Sequence, residues 1–239
     1  MKGLPRVSLI IPAYNEALTV GEVLRVAADS GLFHEIILVD DGSSDGTNRA
    51  VERAREQAAS QADPARVPPD FRLVSHPRNM GKAMAMRDGL HLATGDIVMF
   101  LDADLVGLKT EHLQAMLAPL LDESDYRASL GVFVGGRTAT TVAQKVAPFI
   151  SGQRACFRED LLGFKAWERV GFGVETALNR YLQEKDVKVR VVELTNLTHR
   201  MKEEKRGAVR GFAARLKMYW EIFVTWLSSK FTRYSGSAK

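Results

Sequence analysis

Between Val7 and Asp104 short apolar runs alternate with segments of helical periodicity, and nothing else in the 239-residue chain restricts its fold as strongly. Val7 to Pro12 reads as a buried strand, Ala17 to Ser30 as a helix ended by Gly31, and Glu35 to Asp40 as a second strand rich in Ile, Leu and Val. Gly46 to Ser60 follows as a helix, Phe71 to Ser75 as a strand, Met80 to Thr94 as a helix stopped by Gly95, and Asp96 to Leu101 as a fourth strand. Gln61 to Asp70, with Pro64, Pro68 and Pro69, is a loop. Such alternation implies an α/β architecture, a mostly parallel sheet flanked by helices on both faces. Beyond Asp104 the pattern loosens: a helix near Glu111 to Leu121, a strand near Leu130 to Val134, short helices, a helix near Val174 to Gln183 and a strand over Val187 to Leu194.

Composition narrows the class. With 46% apolar and 26% charged residues the chain suits one domain that buries a core without disulfides, and Cys156 is its only cysteine. No stretch approaches the roughly 18 uncharged apolar residues of a spanning helix. The apolar run at Val7 meets Pro12, Tyr14, Asn15 and Glu16 at once, unlike a signal peptide, so a cytoplasmic location is expected. The net charge of +4 is unevenly divided: from Arg200 onward the balance is +7, whereas the first 199 residues carry −3. The body is therefore not a nucleic-acid binder, and the tail suggests an anionic surface.

In open parallel sheets ligands bind at the carboxyl ends of the strands. The first strand leads into Pro12-Ala13-Tyr14-Asn15-Glu16, the second into Asp40-Asp41-Gly42-Ser43-Ser44-Asp45-Gly46, and the fourth into Asp102-Ala103-Asp104. Carboxylates from three turns thus face one expected crevice, although Asp40 to Thr47 also reads as a turn in which Ser44 or Asp45 caps the next helix. Asp102 and Asp104, one residue apart, point to the same side of an extended chain. Two carboxylates there make a hard-oxygen site for Mg or Mn, ions that fill their shell with water and phosphate oxygens. The substrate to match is a diphosphate, whose departure such an ion assists by neutralising developing charge.

Three residues of the second half carry weaker signals. Arg137, after Gly135 and Gly136, suits a phosphate or carboxylate, or else a structural salt bridge. His199 follows a strand and is either a neutral imidazole ligand to the metal or an ordinary histidine. Glu175 opens a helix, where the dipole favours a carboxylate in any case. His34, His76, His91 and His112 show no ligand spacing.

The motifs V-S-L-I-I-P-A-Y-N-E, I-I-L-V-D-D-G-S-S-D-G-T, N-M-G-K and I-V-M-F-L-D-A-D, in this order over residues 7 to 104, resemble the GT-A nucleotide-sugar glycosyltransferases of family two. The resemblance implies a Rossmann-like GT-A fold, a UDP-sugar donor and Mg or Mn as cofactor. It places Pro12, Ala13, Tyr14, Glu16 and Asp41 around uracil and ribose, Gly81 and Lys82 by the base or phosphates, and Asp102, Ala103 and Asp104 at the ribose and metal. The second half resembles the glucosyl-3-phosphoglycerate synthases in G-G-R at 135–137, G-F-G-V-E at 171–175 and N-L-T-H-R at 196–200. By that resemblance Arg137 holds an anionic acceptor, Glu175 sits near the donor sugar and His199 is a further metal ligand beside Asp104. That group has Thr where this chain has Ala139, between Thr138 and Thr140. Ser151-Gly152-Gln153-Arg154 reads as a loop by the donor sugar, with Gln153 and Arg154 as polar contacts.

The expected division is a GT-A domain over 1–206, with a nucleotide-sugar half (1–104) and an acceptor side (105–206), then a basic amphipathic helix over 207–239. From Gly207 to Phe231 the residues Val209, Phe212, Leu216, Tyr219, Phe223 and Trp226 form one helical face. Flanked by Arg210, Arg215, Lys217 and Lys230, it suits an anionic bilayer, contacted peripherally through 207–233 at the inner face of the cell membrane. The same stripe equally suits packing on the domain or on a second subunit of a homodimer. The expected activity is transfer of a hexose, glucose first, from a UDP-sugar to a phosphorylated small molecule or a lipid-linked acceptor such as a polyprenyl phosphate. Inversion and retention both stay open, and Arg158-Glu159-Asp160 offers an alternative base. A sugar-phosphate nucleotidyltransferase would need a Gly- and Arg-rich loop in place of Pro12 to Glu16. Asn79-Met80-Gly81-Lys82 lacks the remaining residues of a P-loop. A non-catalytic membrane-surface adaptor would have no use for Asp102, Asp104 and Lys82 together.

Overall fold

The computed structural model describes residues 4–61, 67–122, 124–134, 152–170 and 173–200. Arg137, Ser151 and the tail helix expected after residue 206 lie outside the described residues. The first half runs β1 (Val7–Ala13), α1 (Val20–Asp29), β2 (Glu35–Asp40), α2 (Thr47–Gln61), β3 (Asp70–Ser75), α3 (Lys82–Leu92) and β4 (Ile97–Phe100). The second runs β5 (Leu105–Val106), α4 (Thr110–Leu121), β6 (Ala128–Val134), β7 (Arg154–Phe157), α5 (Arg158–Leu161), α6 (Val174–Glu184), β8 (Val189–Thr195) and β9 (Thr198–His199).

Seven strands form one sheet in the order β3-β2-β1-β4-β7-β6-β8, and β5 pairs with β9 in a separate ladder. The β3-β2-β1-β4 block is parallel throughout. β7 runs antiparallel to both of its neighbours, while β6 and β8 are parallel. The mostly parallel, helix-flanked α/β sheet is therefore as expected, with one reversed strand that the sequence pattern did not reveal.

Helices on both faces explain why β1 and β2 are buried along their whole length and read as unbroken apolar runs. Val7, Leu9 and Ile11 of β1 pack with Val20, Val23 and Leu24 of α1 and Leu113 and Met116 of α4. Ile10 turns to the other face, with Met86 and Leu90 of α3 and Leu178 and Leu182 of α6. Each fully buried Leu or Ile contributes ~1.5–3 kcal/mol.

Pro12 is tolerated inside a central strand because of where the ladders stop. The Ile10 carbonyl accepts from Leu101 N at 3.1 Å, so Ile10 and every second residue of β1 face β4. The β1–β4 pairing ends at Ile10–Phe100, so the missing N–H of Pro12 falls just beyond the last pair.

At the opposite end of the sheet Glu35 is buried, with 1% of the residue exposed. It accepts from Ser8 Oγ at 2.6 Å, Thr94 N at 2.6 Å and Thr94 Oγ1 at 2.9 Å. Burial alone would raise its pKa, but these donors outweigh it and hold the carboxyl below the usual range.

Candidate active site

The carboxyl ends of β1, β2 and β4 carry the loops expected to form the crevice. The β1 and β2 loops are tied together: Ser43 Oγ accepts from Asn15 N at 2.9 Å, and Asn15 Oδ1 accepts from Ser44 N at 2.9 Å. Asp45 Oδ1 accepts from Thr47 N at 3.0 Å, so the capping interpretation holds for this residue, while its Oδ2 accepts from Ala17 N at 3.2 Å. Pro12, Ala13 and Glu16 are buried, whereas Tyr14 is exposed at the rim.

Asp41 is buried, and its carboxylate holds the chain that precedes α3. Oδ1 accepts from Met80 N at 2.7 Å and from the His76 ring, and Oδ2 accepts from Gly81 N at 2.8 Å. Gly42 permits this docking, because a Cβ there would lie 2.5 Å from the carbonyl carbon of Arg78 and its φ is +73°. Gly81 caps α3, whose first residue is Lys82.

The Asp102-Ala103-Asp104 segment departs from the extended geometry expected of it. β4 ends at Phe100, and Ala103 and Asp104 lie in a turn that leads into β5. Convergence of the two carboxylates is the work of this turn. The β5–β9 ladder sets Leu105 opposite His199 and so delivers the imidazole to Asp104, with Nδ1 2.9 Å from Oδ1. Ligand atoms of Asp102, Asp104 and His199 all lie within 4.8 Å of one another. Burial opposes a charge on His199, but the Asp104 hydrogen bond and the charges of Asp102 and Asp104 prevail and raise its pKa.

Lys82 and Glu175 complete the floor. Lys82 Nζ lies 2.6 Å from Asp102 Oδ1 and 2.6 Å from Glu175 Oε1. Burial opposes the ammonium, but these two carboxylates hold its pKa well above the ordinary lysine value. Burial likewise favours a neutral Glu175, yet Lys82 and Arg154 keep its pKa below the usual range. Glu175 is therefore an anion at neutral pH, better suited to stabilising positive charge than to accepting a proton. Arg154 Nη2 donates to the Glu175 carbonyl at 3.3 Å.

Gln153 and Arg154 are buried, and Arg154 opens β7 instead of lying in a loop. Gln153 Nε2 donates to Asp102 Oδ2 at 3.0 Å. A Cβ on Gly152 would lie 2.4 Å from Asp102 Oδ2 and 2.7 Å from Lys82 Nζ, so only glycine leaves this pair undisturbed.

Two histidines without ligand spacing have definite tasks. His76 orients Asp41. His112, in the first turn of α4, accepts from Lys109 N at Nδ1 (3.2 Å), so its Nε2–H donates to Thr195 O at 2.9 Å and steadies the turn that carries His199. For His76 the available signal was its place directly after β3, at the ligand-binding ends of the strands. Sequence spacing held none for His112.

The family model of glycosyl transferase family 2 matches residues 8–178. The chain belongs to this family. Glucosyl-3-phosphoglycerate synthase of Mycolicibacterium smegmatis is 30% identical over 197 residues, covering 72% of this chain and 62% of that protein. An undecaprenyl-phosphate 4-deoxy-4-formamido-L-arabinose transferase of Klebsiella pneumoniae is 38% identical over 104 residues, covering 42% of this chain and 29% of the relative. The chain therefore spans less than two thirds of the length of either. Among solved structures, glucosyl-3-phosphoglycerate synthase of Mycobacterium tuberculosis in complex with Mn2+, UDP and glucosyl-3-phosphoglycerate superposes with a TM-score of 0.68 at 25% identity, covering 94% of this chain and 79% of that one. The Mg2+ and UDP complex of the same enzyme gives 0.64, with 82% and 72% covered. The fold is thus that of a GT-A glycosyltransferase.

Proposed function

We propose that the chain transfers a hexose, glucose in the first instance, from a UDP-sugar to a phosphorylated acceptor with the help of Mg or Mn. The convergence of Asp102, Asp104 and His199 carries this reading. Two carboxylates and an imidazole within 4.8 Å are a donor set that fits either ion. When bound there, the ion would neutralise charge on the diphosphate as the bond to the sugar breaks.

The remaining roles belong to the chain itself. Pro12, Ala13, Tyr14, Glu16 and Asp41 would receive the nucleoside, with Gly81 setting the entry to α3. Lys82 would turn from its carboxylate partners to the diphosphate. Glu175, held anionic, would stabilise positive charge at the sugar's reacting carbon, a role compatible with retention of configuration. Arg137 would meet the acceptor's anionic group. In this reading residues 1–104 serve the donor, and 105–206 serve the acceptor while lending Glu175 and His199 to the donor side.

A second acceptor class, a polyprenyl phosphate, is favoured by the likeness to the Klebsiella undecaprenyl-phosphate transferase and by the +7 charge balance after residue 199. It would go with peripheral membrane contact through 207–233.

The test is donor turnover over a panel of UDP- and GDP-sugars, with Mn or with chelator. Acceptors would include 3-phosphoglycerate and a polyprenyl phosphate in anionic vesicles. Metal-dependent release of UDP with formation of a glycoside is expected, and the anomeric coupling in the product's NMR spectrum gives the stereochemistry. A chain that turns over no nucleotide sugar with any acceptor would overturn the proposal.

A further inference from the structure

His76 is buried, with 9% of the residue exposed, and both ring nitrogens face carboxylates. Nδ1 lies 2.7 Å from Asp41 Oδ1, and Nε2 lies 3.1 Å from Asp88 Oδ2. A ring between two such acceptors donates to both only as an imidazolium. Asp41 reaches it from the end of β2 and Asp88 from α3. Behind Asp88, Arg87 Nε donates to Oδ1 at 2.8 Å, and Arg87 Nη1 donates to Glu168 at 3.0 Å. The backbone is fixed as well, since His76 N donates to Asp40 O at 2.8 Å.

We infer that His76 is a positioning residue for the nucleoside pocket, seated between Asp41 and Asp88 and holding Asp41 and the chain from residue 76 to Lys82 in register. The inference rests on the nucleotide-sugar reading of this site. Asp41 spends its oxygens on His76, Met80 N and Gly81 N, so the ring, the loop and the start of α3 share one anchor. Without this ring Asp41 loses a donor that orients it, and the loop and the start of α3 lose part of their shared anchor. A charge-assisted hydrogen bond of this kind is about twice as strong as a neutral one. Binding of the nucleoside should therefore weaken when His76 is replaced by a residue that cannot donate to Asp41.

Two measurements on the full chain separate this from a purely structural role. In the first, NMR compares the Met80 and Gly81 amides of wild type, His76→Ala and His76→Gln. In the second, uridine is titrated into the same proteins with chelator present, so that neither phosphate nor metal takes part. The expected result is displaced amides and a fall in uridine affinity of about tenfold in His76→Ala. His76→Gln, whose side-chain amide can still donate to Asp41, should recover most of both and serves if the first variant does not fold. Amides that stay in place in His76→Ala, or an affinity that stays at the wild-type level while the amides move, would overturn the inference. Amides displaced in His76→Ala without uridine binding to any of the proteins would overturn the nucleotide reading and leave the His76–Asp41 coupling standing.

Discussion

Replacing Gly152 by Ala presses on the site where it is tightest. The added Cβ would lie 2.4 and 2.7 Å from the Asp102 oxygens and 2.7 Å from Lys82 Nζ, against an ordinary contact of 3.4 Å or more. Asp102 must therefore retreat by about 1 Å, which breaks its hydrogen bond from Gln153. The groups that yield are side chains, so the cost in stability falls at the low end for overpacking, about 1 kcal/mol. In a domain of this size that lowers Tm by about 2–4 °C. The metal site is less forgiving, because metal–ligand distances tolerate about 0.2 Å and Mg demands near-octahedral geometry. Gly152→Ala should weaken Mn binding in the presence of UDP by about 10–100-fold, the range seen when support to a ligand is lost. Isothermal calorimetry gives the affinity and a thermal melt the stability. Wild-type Mn affinity in the folded variant would refute the claim that Gly152 sets the position of Asp102.

Gly42→Ala differs in kind, because its Cβ meets backbone of the Arg78–Asn79 segment at a positive φ; it should cost more than ~2 kcal/mol in urea denaturation. His112→Ala removes no proposed ligand yet loosens the turn that carries His199, and an Mn titration should show affinity about tenfold weaker. Glu35 has a folded-state pKa below its unfolded value of about 4.3, so its stabilisation is complete above that pH and disappears as pH falls through the folded value. Glu35→Gln should cost ~1–3 kcal/mol near neutrality, and urea denaturation should show the gap from wild type closing below about pH 4. The Cys156 thiol is pushed by burial up to about 12, so thiol reagents should label it only at the rate of unfolding, which mass spectrometry follows in urea.

The donor side was legible because its chemistry is local in the chain. Strand, turn and helix follow one another within about a dozen residues, so Asp41, Asp102 and Asp104 could be placed at the strand ends from pattern alone, whereas Lys82, the first residue of α3, was pointed out only by the family resemblance. What escaped depends on partners far along the chain. His76 meets Asp41 35 residues away, and His112 meets Thr195 83 residues away. β7 has four residues, Arg-Ala-Cys-Phe, whose three apolar residues are too short a run to mark a strand, and it pairs with β4 on one side and β6 on the other. The β5–β9 ladder, two residues on each side, is too short to leave a periodic trace, yet it brings His199 to Asp104. The expected same-side geometry of Asp102 and Asp104 assumed a longer β4, and a turn produces their convergence by another route.

The most direct test of the account is a calorimetric titration of Mn into the full chain with UDP present, for wild type, Asp104→Ala and His199→Ala. The account predicts one metal site in the wild type, abolished by Asp104→Ala and weakened at least tenfold by His199→Ala. Equal Mn affinity in all three proteins would contradict it.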